Sequence, residues 1–327
     1  MVNFSSTELD PTDYLLFGNG TTWSFTVYAL ISITGIIANV FLLLAIFKDP
    51  LKCFSTPTTY FIVNLAVSDL LNLAVCLTCV FLIQTKYGGL NELAWNITLL
   101  SWEITFNLTF PSVFCLALER CLAVSRPLWH RVRITSRVSR IWLVAVWLFN
   151  LVFTLTSYFM YIYISITQSI FYGLIFLLIT LFVYIFAYVS IRWQHKAMAT
   201  DDTMSERICR TINARLKIQN RFLYTVFIIN GILILGLLPN LIDYACELRF
   251  GQILRDILNR SNTLTAVVLI VMDILFLINF AVNPFIYCWR LPKYRKTFLP
   301  FLTADAKNEQ FFYEEIHNID ELTVYCT

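Results

Sequence analysis

Histidine is scarce in this 327-residue chain: His130, His195 and His317 are the only three, and they lie far apart. No metal-ligand spacing and no nucleophile motif accompanies them, so the chain is read as a non-enzyme without a resident cofactor. Charge is scarce as well. Asp, Glu, Lys and Arg make up 14% of the residues against 58% hydrophobic ones, and the mean hydropathy is +0.69. A soluble domain carries more charge than that, and no nucleic-acid partner is expected. Nine cysteines are present but offer no obvious extracellular pair, so disulfides are not expected to hold the fold. No basic stretch, short apolar run and small-residue cleavage site precedes Trp23. The first apolar run is therefore expected to act as its own uncleaved insertion signal.

What the chain has instead is long apolar segments. Seven are long enough to cross a bilayer as helices: approximately Trp23 to Phe47, Thr58 to Ile83, Trp95 to Val124, Ile141 to Ile164, Ser169 to Trp193, Ile218 to Cys246 and Thr263 to Trp289. Their length and their Leu, Ile and Phe content favour helices over barrel strands, which predicts an all-α membrane protein, a seven-helix transmembrane bundle. Of the 24 cations, 18 fall in or beside the first, third and fifth connections and the start of the tail. The other three connections carry only Lys86, Arg249, Arg255 and Arg260. Cations accumulate on cytoplasmic loops, which puts the N-terminus outside and the C-terminus inside. The chain then divides into an extracellular arm (1–22), the bundle (23–289), a basic amphipathic juxtamembrane helix (290–302) and an acidic cytoplasmic tail (303–327). Sequons at Asn3, Asn19 and Asn259 lie outside and are candidate glycosylation sites, whereas that at Asn107 falls mid-span.

In lipid every polar side chain needs an internal partner, so those that interrupt the apolar runs are informative. Asn279, Asn283 and Tyr287 are spaced i, i+4, i+8 and form one stripe on a helix. Pro284, inside that stripe, removes a backbone donor and frees a carbonyl that a neighbour must satisfy. Asp69, deep in the second run, is costly in lipid and should face the interior, toward amides, hydroxyls, water or an ion. Asn39, in Gly35-Ile-Ile-Ala-Asn39, is expected to meet Asp69 there, the two forming an interhelical polar core. Glu119-Arg120 closes the third run. Neighbours in sequence do not face each other on a helix, so Glu119 is expected to hold Arg120 only loosely.

Taken in register, these residues resemble the rhodopsin-like, class A G-protein-coupled receptors. Asn39, Leu65-Ala-Val-Ser-Asp69, Glu119-Arg120-Cys121 in place of Asp-Arg-Tyr, Trp147 and Asn283-Pro-Phe-Ile-Tyr287 occur in that family's order and spacing, from about Gly35 to Phe298. The resemblance implies a plasma-membrane receptor that converts binding of an extracellular ligand into activation of a heterotrimeric G protein. It also implies an eighth helix lying on anionic lipid, and arrestin as a further partner. Glu119, Arg120, Asn283, Pro284 and Tyr287 look like its activation switch. Asp69, Thr109, Asn279 and Asn283 look like its sodium and water site, sodium being the one modulator ion implied. Trp102, Glu103, Phe106, Asn240, Asp243 and Asp273 stand where the family's ligand pocket lies. Three acids near an aromatic wall would suit a cationic peptide or amine, although lipid and other small ligands stay open. The tail from Phe301 has no serine, so phosphorylation-dependent arrestin binding is expected to run through Thr200, Thr203, Ser205 and Thr211 of the third cytoplasmic loop.

The chain also departs from that pattern. Trp95 stands where most members carry a cysteine bonded to the second extracellular loop, and that loop, about Ser165 to Gln168, is minimal. Gly236-Leu-Leu-Pro239 replaces Cys-Trp-x-Pro, no proline occurs between Pro127 and Pro239, and Pro111 interrupts the third run. No subfamily is assigned. The seventh run has no lysine for a retinal Schiff base. Two alternatives stand beside the receptor reading. A transporter or channel predicts internal repeats and a continuous ionisable path, and the sequence has no repeat. A receptor-like subunit that binds no ligand and acts through a partner receptor is the other.

Overall fold

A bilayer core offers no water to backbone N–H and C=O groups, so each apolar run must close its hydrogen bonds on itself. The chain does so as helices. The computed structural model describes residues 22–48, 56–85, 92–160, 162–199 and 262–290, together with six isolated positions, Tyr224, Phe227, Ile228, Gly231, Ile234 and Leu235. These contain α1 (Thr22–Lys48), α2 (Pro57–Gln84), α3 (Glu92–Ser125), α4 (Pro127–Arg133), α5 (Ser136–Met160), α6 (Ile162–Ala199) and α7 (Asn262–Arg290). Five of them, α1, α2, α3, α5 and α6, are long and apolar enough to cross a membrane. The protein is an all-α, multi-pass membrane protein. The sixth run, Ile218 to Cys246, contributes only the six isolated positions, all helical. Asn3, Asn19, Asn240, Asp243, Asn259, the third cytoplasmic loop, the tail and all but the first residue of the expected juxtamembrane helix lie outside the described residues.

Helix α3 is the hub. It packs on α2, α5, α6 and the short α4, while α1 packs on α2 and α7, and α2 also meets α5 and α7. Accordingly α3 is the most deeply buried of the spans and α5 the least. Large apolar side chains such as Phe149, Val152, Phe182 and Ile185 are exposed on α5 and α6, as expected where lipid is the solvent. Polar side chains tie the hub to its neighbours. Asn150 of α5 donates to the Ile104 carbonyl at 2.9 Å, and Gln194 of α6 to the Val124 carbonyl at 2.8 Å. Asn107 of α3 donates to Thr154 at 3.3 Å and is fully buried, so its sequon has no room for a glycan.

Two expectations change. The loop placed at about Ser165 to Gln168 is helical: α5 ends at Met160 and α6 starts at Ile162. No proline or glycine stands between Met160 and Phe171 to stop a helix there. The segment after α3 is not a plain loop either, since Pro127 opens α4 at a position where its missing N–H costs nothing. Trp95 occupies the N-terminal end of α3 by packing, buried against Cys79 and Leu82 of α2.

The α1–α7 seam shows how tightly the helices approach. A Cβ at Gly35 would lie 2.8 Å from Ala281 Cβ, 3.0 Å from Ala281 Cα and 2.6 Å from Leu73 Cδ1. Only a hydrogen fits, because Ala281 Cα is backbone and cannot swing aside. One turn along, Asn39 donates to the carbonyls of Gly35 at 3.0 Å and Phe280 at 3.1 Å. Phe280 is the residue four before Pro284, so its carbonyl is the one the proline leaves without an intrahelical donor. Gly35→Ala should therefore cost about 1–3 kcal/mol through overpacking. Thermal unfolding of the purified protein in detergent checks this, and an unchanged midpoint would mean that the seam is looser than described.

Candidate functional site

Two polar clusters occupy the half of the bundle that holds the C-terminal end of α3. The first closes the C-terminal end of α3. Glu119 is completely buried and Arg120 nearly so, with side-chain exposures of 0% and 16%. Arg120 Nε donates to Glu119 Oε2 at 2.5 Å and a terminal guanidinium nitrogen donates to Oε1 at 2.6 Å. The same nitrogen reaches the Thr58 hydroxyl at the start of α2, which itself donates to Glu119 Oε1 at 3.0 Å. His130 Nε2 of α4 meets that oxygen at 3.0 Å. Glu119 does not hold Arg120 loosely, then. Long side chains at a helix end fold back far enough for a two-point contact even from adjacent positions, and charge-assisted pairs of this kind are the strong ones. Thr58 and His130 were not legible as members, because each comes from a different helix and neither belongs to a motif.

The second cluster surrounds Asp69. The carboxylate is fully buried, and Asn283 of α7 donates to its Oδ2 at 2.6 Å. Asn39 is not its partner: the Asn39 amide goes to the Phe280 carbonyl, because the proline-freed acceptor lies nearer its face of α1. Thr109 engages the amide of Asn72, which donates to Thr109 Oγ1 at 3.1 Å and to the carbonyls of Ser68 and Thr105 at 3.0 Å each. Asn72 escaped the sequence reading, although its place three residues after Asp69 put it on the same face. Asn279 is buried in the same region of α7. The oxygens of this cluster are under-used: Asp69 Oδ1, Ser68 Oγ and the Oδ1 atoms of Asn72, Asn279 and Asn283 are buried with no hydrogen-bond partner among the described residues. Orphaned hard oxygens around a buried carboxylate are a donor set that suits a small hard cation or water. Tyr287, one turn beyond Asn283, is 1% exposed within the core. A third link runs beside these, with Trp147 Nε1 donating to Asn64 Oδ1 at 2.7 Å and Asn64 to Ser112 at 2.8 Å.

The half that holds the N-terminal end of α3 is aromatic. Trp102 is buried and lies parallel to Phe106, with ring centroids 6.3 Å apart, and Phe276 of α7 sits 6.1 and 5.5 Å from the two. Phe110 and Phe280 extend the cluster inward. Of the acids expected here, Asp273 is buried and accepts a 3.1 Å hydrogen bond from Tyr28 of α1, while Glu103 is half-buried on α3. Tyr28 belongs to a stripe, Ser24-Tyr28-Ser32-Asn39, that is wholly buried along α1. Its spacing of four, four and seven residues was visible in the sequence.

Residues 38–167 match the family described as "7 transmembrane receptor (rhodopsin family)". That segment covers α1 from its middle through α5, including Asn39, Asp69 and the Glu119–Arg120 pair. Similar curated proteins include the Type-1 angiotensin II receptor of Meleagris gallopavo, 32% identical over 134 residues, with 38% of this chain and 34% of the relative covered. Neuromedin-U receptor 2 of Mus musculus is 31% identical over 133 residues, covering 40% and 33%. The match spans about a third of the length of these curated relatives. The segment similar to these receptors carries Asn39, Asp69 and the Glu119–Arg120 pair, and in this protein it is built as helices of an all-helical, multi-pass bundle.

Proposed function

We propose that the protein is a plasma-membrane receptor, N-terminus outside, that converts binding of an extracellular ligand into activation of a heterotrimeric G protein. The observation that carries this is the clasp at the inner end of α3. A nearly buried arginine is held by one carboxylate, which is itself held from two other helices. Such an arrangement has two discrete states, clasped and released, and only the released one offers Arg120 to a cytoplasmic partner. Asn283, Pro284 and Tyr287 supply the moving element in this reading. Pro284 weakens α7 beside the Asp69–Asn283 bond, so that rearrangement there reaches the inner surface. On the outer side, Trp102, Phe106 and Phe276 are the first groups a ligand would meet, with Glu103 and Asp273 as acids for a cationic peptide or amine. Arrestin, acting on the third cytoplasmic loop, and membrane lipids complete the set of partners.

The clasp reading predicts opposite signs for its two ends. Glu119→Gln should raise basal nucleotide exchange on added G proteins, and Arg120→Ala should lower exchange roughly tenfold or more, since losing a desolvated charged anchor costs about 2 kcal/mol or more. Membranes carrying the wild-type chain or either variant are compared with empty membranes over a panel of heterotrimers. No exchange above empty membranes for any of them would sink the receptor reading.

We also propose sodium as a modulator. Asp69, Thr109, Asn279 and Asn283 would hold it, with the spare Asn72 Oδ1 offering a further oxygen, since the Thr109 hydroxyl keeps a second lone pair while accepting from Asn72. The bound ion would supply a positive charge to the buried carboxylate. Asp69→Asn should remove any difference in basal exchange between sodium and a bulky organic cation. A sodium effect that survives this substitution would refute the site.

A further inference from the structure

The short helix α4 presents two unlike faces. At about 100° per residue, Leu128, Val132 and Trp129 share one arc and His130 points away from it. The inward side is fixed, since His130 meets Glu119 Oε1 at 3.0 Å and Ile134, just past the helix end, is 3% exposed. The roll of the helix is thereby set, and its apolar arc turns outward. Leu128 is 81% exposed, Val132 72% and Trp129 43%.

Cations frame this arc. Arg131 and Arg133 flank it on α4, and Arg126, Arg137 and Arg140 stand just before and after; all five are exposed. Among the described residues none of them pairs with a carboxylate, the recorded ion pairs both being to Glu119. Between Glu119 and Asp201 the chain has no acidic residue at all. An apolar arc with an aromatic residue, bordered by unpaired arginines and joined at both ends to membrane-spanning helices, matches an element that lies in the headgroup layer of an anionic membrane.

We propose that α4 is a seat for anionic phospholipid in the leaflet it adjoins. Leu128, Trp129 and Val132 enter the acyl boundary, and Arg131 and Arg133 bind the phosphodiester and acidic headgroup, their planar forks suiting phosphate oxygens. The positive charge of the stretch, with no acid to offset it, favours a negatively charged surface over a neutral one. The proposal goes beyond the receptor reading. It needs only that α4 adjoin a bilayer, which α3 and α5 ensure, and takes from the proposed orientation no more than the choice of leaflet.

The test uses the full chain in vesicles of phosphatidylcholine containing a trace of a lipid with a photoreactive acyl chain, either phosphatidylserine or phosphatidylcholine. Cross-links are located by peptide mapping. Labelling of peptides that contain Leu128, Trp129 and Val132 should be stronger from the phosphatidylserine probe. Arg131→Gln with Arg133→Gln should reduce that excess by roughly fivefold for each arginine removed. Arg131→Lys with Arg133→Lys should retain most of it, and labelling within α5 should be unchanged in both, which separates loss of charge from misfolding. Equal labelling by the two probes, or an excess that the glutamine pair leaves intact, would overturn the assignment. So would labelling absent with both lipids but a cross-link from this face to an added G-protein heterotrimer, which would make it a protein-docking surface.

Discussion

The hydrogen bond from Asn39 to the Phe280 carbonyl is the constraint on which the α1–α7 half of the bundle depends. Pro284 leaves that carbonyl without its helical donor, and in hydrocarbon an unmet carbonyl costs several kcal/mol. One side chain from another helix meets the need. That amide arrives only if α1 and α7 come close, and they come close only because Gly35 has no side chain to set against Ala281. A glycine, an asparagine and a proline on two helices thus form a single device. The proline is free to weaken α7 because the asparagine covers the defect.

Around α3 the same rule works in a more distributed way. Asn64, Asn72, Asn107 and Asn150 each use an amide to bridge helices, so the bundle is tied by directional contacts in an apolar matrix where lipid gives no hydrophobic drive for association. Asn64 is engaged at both ends, its amide giving to Ser112 and its oxygen receiving from Trp147, whereas the Asp69 cluster is incompletely satisfied among the described residues. An amide that both gives and receives its bonds fixes a geometry, whereas spare oxygens beside a buried carboxylate leave the geometry open to whatever fills the remaining valences. Rigidity and adjustability are therefore allotted to different residues within one core.

Much of the fold was legible because lipid makes hydropathy decisive: an apolar run of the right length has few structural options. The spans α1, α2, α3 and α7 lie close to where the runs predicted them. What failed did so for physical reasons. Spacing along a chain shows which residues share a face of their own helix, but not which helix lies opposite, so Asn39 was given Asp69 as partner instead of Phe280. The rule that adjacent helical residues diverge holds for short side chains, yet the reach of Glu119 and Arg120 overrides it. His130 and Thr58 had no local signal, since their role exists only once α2, α3 and α4 are assembled. The stretch at Ser165 to Gln168 was placed as a minimal loop between the fourth and fifth apolar runs, but without proline or glycine it had no reason to leave the helical state.

The close succession of α5, which ends at Met160, and α6, which starts at Ile162, has a mechanical meaning. Two long helices joined so closely are pinned at one end like the arms of a pair of tongs, and any separation between them must grow with distance from the pin. Helix α6 runs 38 residues from that point, about 57 Å at the usual helical rise, so a small change of angle at its origin becomes a displacement of several ångströms where Gln194 meets Val124. The N-terminal end of α6 is thereby the fulcrum, and the wider travel belongs to the opposite end, the one that carries Arg192 and Lys196 and is tied to α3 by the Gln194 bond.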